Sequence, residues 1–326
     1  MKIAFLTEMG FEGGVPDNHP NARTEFAWMN ALSATHYPLA KYQSVSGYDV
    51  VFIIFPKGKL FLSAEGSKIG DGFNPASQYL NEPIVDILKS VNQKVYYIQE
   101  GPHWWWNDYE IVDQIQFYNF LAKTDGIFAH NESDVNYYKG LLPNKKVEVI
   151  RTLMIENLIK DIKSQSEDKV IIGGNFARWY GGFESYMVAT EFGVPIWGQE
   201  SHAKRSNEGA MEDLYHFDRM VWIDWMKEVS KFKYGVHLMP TVAAGTFSLN
   251  CAYFGIPVIG NVKVDTQKTL HPLTSVEVDD VKGARELAKK LRDDKDFYNQ
   301  CSKLAKQQYQ SYYTKEIWLN YMKEKI

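Results

Sequence analysis

Short apolar runs rich in β-branched residues alternate along this chain with amphipathic stretches, and that alternation restricts its fold more than any other feature. Lys2–Thr7, Val50–Phe55, Lys94–Gln99, Gly126–Ala129 and Val147–Ile150 predict five buried strands, with helical periodicity between them at Thr24–Leu32, Ile84–Ser90, Asp113–Leu121 and Ser133–Leu141. Near-continuous apolar strands alternating with helices imply a parallel sheet covered on both faces. A second series follows the charged, weakly periodic stretch Lys160–Lys169. It predicts strands at Val170–Gly173, Val194–Trp197, Arg219–Trp222, Gly235–Met239 and Pro257–Gly260, and helices at Phe183–Phe192, Trp225–Phe232, Ser248–Phe254 and Ala284–Asp293. A long helical tail, Asp296–Lys325, closes the chain. The expectation is an α/β protein of two Rossmann-like doubly wound domains in succession, dividing between residues 158 and 159. Such a pair leaves a cleft, and ligands of these sheets sit beyond the carboxyl ends of the strands.

The length of 326 residues suits two domains, and 45% hydrophobic with 23% charged residues is enough apolar material for both cores. A net charge of -4 supplies no basic surplus for nucleic acid, although a local basic patch remains open. Cys251 and Cys301 make neither a disulfide framework nor a zinc spacing, so the expected compartment is the reducing cytoplasm. The first apolar run is too short for a signal peptide and is followed by Glu8 and Glu12. No apolar segment approaches the ~20 residues of a membrane helix.

Four segments at predicted strand ends carry chemistry. In Gly245-Thr246-Phe247-Ser248-Leu249-Asn250 a small-residue loop leads into a helix expected near Ser248, with Thr246 or Ser248 as its cap. Unpaired N–H groups at such a start suit a phosphate, and an ordinary capped helix is the alternative. Gly173-Gly174-Asn175-Phe176-Ala177-Arg178 follows the second domain's first strand; its glycines admit a ligand and Arg178 can grip phosphate, or the loop is a plain turn with Arg178 in solvent. Glu12-Gly13-Gly14-Val15 and the polar loop after it, with Asp17 and His19, follow the first strand of all, without a G-x-G-x-x-G or Walker pattern; a ligand loop and a plain strand-to-helix turn are both open. Glu100-Gly101-Pro102-His103-Trp104-Trp105-Trp106 leaves another strand end. His103 can bond a ligand, act as acid or base, or be structural, and the tryptophans can stack on a sugar ring or base or meet a partner. His130, before a Ser133 that looks like a helix cap, is a weaker candidate, as are His202, in the expected solvated loop Gln199–Asp213, and Asp224, at an expected helix start.

Taken together, the order of elements and these segments resembles the retaining GT-B glycosyltransferases of the family 4 type, loosely and over nearly the whole chain. Gly13-Gly14-Val15 resembles that family's N-terminal glycine loop, and Glu100–His103 its segment ending in a histidine that touches the donor sugar. Thr124–Asn131 with Val147–Arg151 resembles the close of its first domain, Gly173–Phe183 its phosphate-binding loop, and Pro240–Gly260 the motif closing its donor site. The resemblance implies a first domain (1–158) for the acceptor, a second (159–305) for the nucleotide-sugar donor, and a terminal helix (306–326) packing back on the first. It also implies metal-independent transfer from a nucleotide-diphosphate sugar, UDP- or GDP-linked, as co-substrate, with no further cofactor. The implied catalytic residues are His103 and Glu100. The implied donor residues are Gly13, Gly14, Gly174, Asn175, Arg178, Gly245, Thr246, Phe247, Ser248 and Asn250, and the implied acceptor residues are Asp17, His19, Trp104 and Trp105. The acceptor can be a glycan, a small molecule or a nucleic acid. One departure stands out: aligning Gly255-Ile256-Pro257-Val258-Ile259 puts Val242 and Asn250 where the family keeps two glutamates. Two rival readings follow. Sugar transfer to nucleic-acid bases, as in some viral enzymes of this fold, would use the tryptophans and Lys57-Gly58-Lys59; a non-catalytic GT-B-shaped nucleotide- or sugar-binding protein would explain the missing carboxylates.

Overall fold

The computed structural model describes residues 1–55, 84–108, 111–174, 176, 179–199, 211 and 213–326. Asn175, Arg178, His202 and Lys57-Gly58-Lys59 lie outside the described residues, as does most of the expected loop Gln199–Asp213. The chain forms two compact units: Met1–Pro16, Glu25–Ile150 and Met322–Ile326 make the first, Asp17–Thr24 and Arg151–Tyr321 the second.

In the first unit the strands are β1 (Ile3–Thr7), β2 (Gly13–Gly14), β3 (Thr35–Pro38), β4 (Val50–Ile53), β5 (Lys94–Ile98), β6 (Gly126–Ala129) and β7 (Val147–Val149). The helices are α1 (Thr24–Ala31), α2 (Ile84–Val91), α3 (Ile111–Lys123) and α4 (Glu132–Leu141). The sheet order is β2-β3-β1-β4-β5-β6-β7, parallel except for the β2–β3 pair. Every residue of β1, β4 and β6 is buried, which is why these strands read as continuous apolar runs. Phe5, Phe52 and Phe128 pack along one face, tilted and edge-to-face with ring centroids 4.9 Å and 5.7 Å apart, while Leu6, Ile53, Tyr97 and Ala129 face the other. β2 and β3 have no sequence signal. Thr-His-Tyr-Pro lacks an apolar run and becomes a strand by pairing with β1, Ala4 opposite Thr35.

The second unit contains β8 (Glu167–Ile172), α5 (Gly182–Ala189), β9 (Ile196–Gln199), β10 (Leu214–Phe217), α6 (Trp222–Val229), β11 (Phe232–His237), α7 (Thr246–Phe254), β12 (Val258–Asn261), α8 (Asp265–Leu270), β13 (Ser275–Val276), α9 (Val281–Asp293), α10 (Lys295–Tyr312) and most of α11 (Lys315–Lys325). Its sheet is parallel, in the order β10-β9-β8-β11-β12-β13. That is the doubly wound Rossmann order, which reverses direction between β8 and β11.

The strand expected at Arg219–Trp222 is not there. Trp222, Trp225, Met226 and Val229 are buried at helical spacing, so the apolar run there belongs to α6. The strand lies earlier, in β10, where Phe217 packs on Trp197 (4.8 Å) and Phe232 (5.8 Å). The tail is two helices rather than one. α10 stops at Tyr313, and the Thr314 hydroxyl accepts from the Ile317 N–H to begin α11. The break lets Tyr309, Tyr313 and Trp318 all be buried. The chain's last residues then return to the first unit, where Lys94 Nζ donates to the Ile326 carbonyl at 2.5 Å and Lys325 meets Glu148 at 2.8 Å. Among the described residues no helix is long and apolar enough to cross a membrane.

Candidate functional site

In the second unit the reversal of strand order brings the ends of β8 and β11 side by side, and three sequence-predicted elements gather there. Gly173 and Gly174 leave β8. A Cβ on Gly173 would lie 2.6 Å from the His237 ring and 2.7 Å from that of Phe247; one on Gly174 would lie 2.9 Å from Tyr180 and 3.3 Å from His237 Nε2. Only glycine lets this loop lie against His237, the last residue of β11. Gly245 caps α7 in the left-handed region (φ 72°), where a Cβ would meet Thr266 at 2.6 Å. This corrects the expected cap: neither Thr246 nor Ser248 holds the helix start, which falls at Thr246 rather than near Ser248. The Ser248 hydroxyl instead donates to Gln267 Oε1 at 2.6 Å, joining α7 to α8. What α7 offers a ligand is therefore backbone: the first N–H groups of a helix have no partner within it and face a partial positive charge outward. Phe247 is buried and lies edge-on to His237, ring centroids 5.3 Å apart.

His237 gives this end of the sheet a polar group that sequence reasoning missed. Burial pushes its pKa down to about 4, so the ring is neutral at physiological pH, and among the described residues its Nε2 finds no hydrogen-bond partner. The signal was present: a histidine closing an otherwise apolar strand at the switch point. Asn250 is buried one turn into α7, where its Oδ1 faces Trp222 Nε1 at 3.5 Å. The position of the family's second glutamate is thus occupied by a residue packed against α6.

Asp17 and His19 belong to the second unit's body. The segment around them is held by Ile155 N–H to the Ala22 carbonyl (2.8 Å), Thr24 N–H to the Leu153 carbonyl (2.8 Å) and Trp222 N–H to Asn21 Oδ1 (3.0 Å). Asp17 lies 3.7 Å from Lys315, and His19 Nδ1 accepts the Asn21 N–H at 3.2 Å.

In the first unit, Gly13 and Gly14 are the edge strand β2, paired antiparallel with His36 and Thr35. The loop leading to them is pinned by His36, which is fully buried: Nδ1 donates to the Phe11 carbonyl at 2.7 Å, which leaves Nε2 to accept from the Thr7 hydroxyl at 2.8 Å. After β5 the chain turns at Gly101 (φ 68°) and enters a short 3-10 helix, His103–Asp108. His103 Nδ1 lies 2.6 Å from Asp134 Oδ1, and its ring stacks on Tyr137 at 4.1 Å. Glu100 is half-buried at the strand end. The tryptophan run divides: Trp104 and Trp105 are half-buried and stacked at 5.8 Å, while Trp106 is buried against Phe117. Asp134, in the first turn of α4, escaped sequence reasoning. Its helix is capped by Asn131, not by Ser133 as expected, because Asn131 takes the extended conformation of a cap and Ser133 lies inside the helix. Asp224 lies in the first turn of α6 as expected. Among the described residues no group of three or more His, Cys, Asp or Glu is placed to hold a metal ion.

No protein-family model and no curated protein sequence matches this chain. Solved structures do. An alpha-glucosyltransferase in complex with UDP and a 13-mer DNA containing a central A:G mismatch is 12% identical, covering 99% of this chain and 98% of that one with a TM-score of 0.63. Sucrose-phosphate synthase from Thermosynechococcus elongatus is 11% identical, with coverages of 99% and 98% and a TM-score of 0.62. A variant of S. aureus TarM in complex with Fondaparinux, alpha-GlcNAc-glycerol and UDP is 11% identical, with coverages of 88% and 57% and a TM-score of 0.61. At these identities the likeness is one of fold. The chain has the GT-B fold, two Rossmann-like α/β domains followed by a C-terminal helix that ends on the first.

Proposed function

We propose that this chain is a glycosyltransferase that moves a sugar from a nucleoside-diphosphate sugar, UDP- or GDP-linked, to an acceptor hydroxyl, with retention and without a metal ion, in the manner of family 4. The observation that carries the reading is the end of the second sheet. Gly174, the neutral ring of His237 and the Gly245-capped start of α7 converge at the point where a doubly wound sheet receives its ligand. Backbone N–H groups at Thr246, Phe247 and Ser248 would bind the diphosphate, with Arg178 and Asn175 adding charge and hydrogen bonds from the adjoining loop. Stabilising the departing diphosphate is the main electrostatic task as the glycosidic bond breaks, and a helix start with an arginine can do it without a metal ion. His103 would bind a sugar hydroxyl, with Glu100 beside it. UDP in the structures of the alpha-glucosyltransferase and TarM supports the nucleotide assignment. The buried thiols Cys251 and Cys301 support a cytoplasmic protein.

The test is calorimetric titration with UDP and GDP, followed by transfer assays with their glucose and N-acetylglucosamine conjugates. Wild type should bind a nucleoside diphosphate equally well with and without EDTA. Gly174→Val, whose side chain would press on Tyr180 and His237, should abolish binding while leaving the circular dichroism spectrum intact. Failure of the wild type to bind any nucleotide ends the proposal. Binding without turnover would favour the non-catalytic reading instead. The stacked pair Trp104–Trp105 beside His103 favours one second reading, an extruded nucleic-acid base as acceptor. Transfer to duplex DNA carrying a hydroxymethylated pyrimidine, weakening as salt rises, decides it.

A further inference from the structure

The Asp134 side chain is completely buried, and a carboxylate there must have partners for both oxygens. It has them. Oδ1 faces His103 Nδ1 at 2.6 Å, and Oδ2 accepts from Asn131 Nδ2 at 3.1 Å. An ionised carboxylate only accepts, so Nδ1 must carry the proton, and a neutral ring then keeps its lone pair on Nε2. Asn131 is itself fully buried at the N-terminal end of α4, and Asp134 sits in that helix's first turn, where the macrodipole favours an anion. Stacking on Tyr137 covers one ring face.

We propose that Asn131 and Asp134 are positioning residues that lock His103 in the Nδ1–H tautomer, and that Nε2 thereby reads a hydroxyl of a neutral sugar. The hydroxyl part rests on the glycosyltransferase reading; the tautomer part does not. Asp134→Asn inverts the relay. While the Asn131 NH2 still points at residue 134, the new amide turns its oxygen to Asn131 and its NH2 to His103. Nδ1 must then accept, the ring proton moves through solvent to Nε2, and Nε2 turns from acceptor to donor. The swap Asn131→Asp with Asp134→Asn reverses this. Its amide donates to the new carboxylate and turns its oxygen back to Nδ1–H.

Nitrogen-15 NMR of the imidazoles in the full-length protein reads the tautomer directly. Wild type should show His103 protonated at Nδ1, Asp134→Asn at Nε2, and the swap at Nδ1 again. Nε2–H in wild type, or no change in Asp134→Asn, overturns the relay. With the donor that wild type uses, Asp134→Asn should lose about tenfold or more in kcat/KM, the size expected for one hydrogen bond to a buried polar group. The swap should recover most of it. One monodeoxy donor should be poor for wild type, since it lacks the hydroxyl that Nε2 bonds. A wild type that uses every monodeoxy donor as well as its parent overturns the hydroxyl reading. A wild type that turns over no donor sinks the glycosyltransferase reading and the hydroxyl part with it, while the NMR comparison still judges the relay on its own.

Discussion

Gly181 stands at φ 62°, and a Cβ there would lie 1.9 Å from the Leu238 carbonyl oxygen. No side chain fits, because the start of α5 passes directly over the end of β11 beside the proposed diphosphate seat. Gly181→Ala combines a left-handed backbone with a clash against main chain and should cost about 3 kcal/mol or more, read as a lower urea midpoint. His271 makes a different residue-scale prediction. Its Nε2 donates to the Ser248 carbonyl at 3.0 Å, and burial holds its pKa down to about 4 against an ordinary 6.5. The unfolded chain therefore binds the proton more readily. The stability contributed by keeping this ring neutral is complete above pH 6.5 and is lost as pH falls toward 4, by about 3 kcal/mol at 1.36 kcal/mol per pH unit. His36, also lowered by burial, and His237 add in the same direction. A urea midpoint measured between pH 7 and 4 should fall in wild type and fall less steeply in His271→Gln. A parallel fall in both would refute the assignment. His103 and the glycines at 173, 174 and 245 were legible in the sequence because they follow apolar strands. Asp134 and His237 were not, since their meaning lies in partners brought from other segments.

At the scale of elements, α6 shows how a local reading goes astray. Met220-Val221-Trp222-Ile223 is apolar enough for a strand, yet the burial of Trp222, Trp225, Met226 and Val229 follows a helical period. What decides the matter is the ground Trp222 stands on: its backbone N–H is taken by Asn21 and its indole by Asn250. Trp222→Ala would leave a cavity among these elements and should cost about 3–5 kcal/mol. Its effect on hydrogen exchange should appear in α6, α7 and residues 17–24 together, and protection lost in α6 alone would count against the shared anchor. β2, β3 and β13 were illegible for a related reason. β2 and β13, of two residues each, carry too few side chains for a pattern, and Thr35–Pro38 lacks an apolar run; all three exist because a neighbour offers a ladder.

On the scale of the whole molecule, the chain passes between its compact units at residues 16/17, 24/25, 150/151 and 321/322. The final pass carries Met322, which is completely buried, and the carbonyls of Lys325 and Ile326, which accept from Lys146 and Lys94. Deleting Met322–Ile326 should destabilise the first unit by about 2–4 kcal/mol, chiefly through the loss of the Met322 side chain, since the exposed ion pairs contribute little. Tryptophan-quenched or exchange-based unfolding curves that resolve the two units would show the first melting earlier and the second unmoved. A uniform shift of both would contradict the assignment of these residues to the first unit.

Periodicity alone determined the α/β class, the parallel body of both sheets and the loops at their strand ends, because a strand buried on both faces must be apolar throughout and a helix covering it must be apolar on one side. It could not determine which strand lies beside which. The reversal between β8 and β11, which brings Gly174, His237 and α7 together, is a fact of strand order, and strand order leaves no local mark. The same holds for residues 17–24 lodging in the second unit and for Asp134 beneath His103. In each case the free energy comes from contacts between segments far apart in sequence, and only the folded chain brings them within hydrogen-bonding reach.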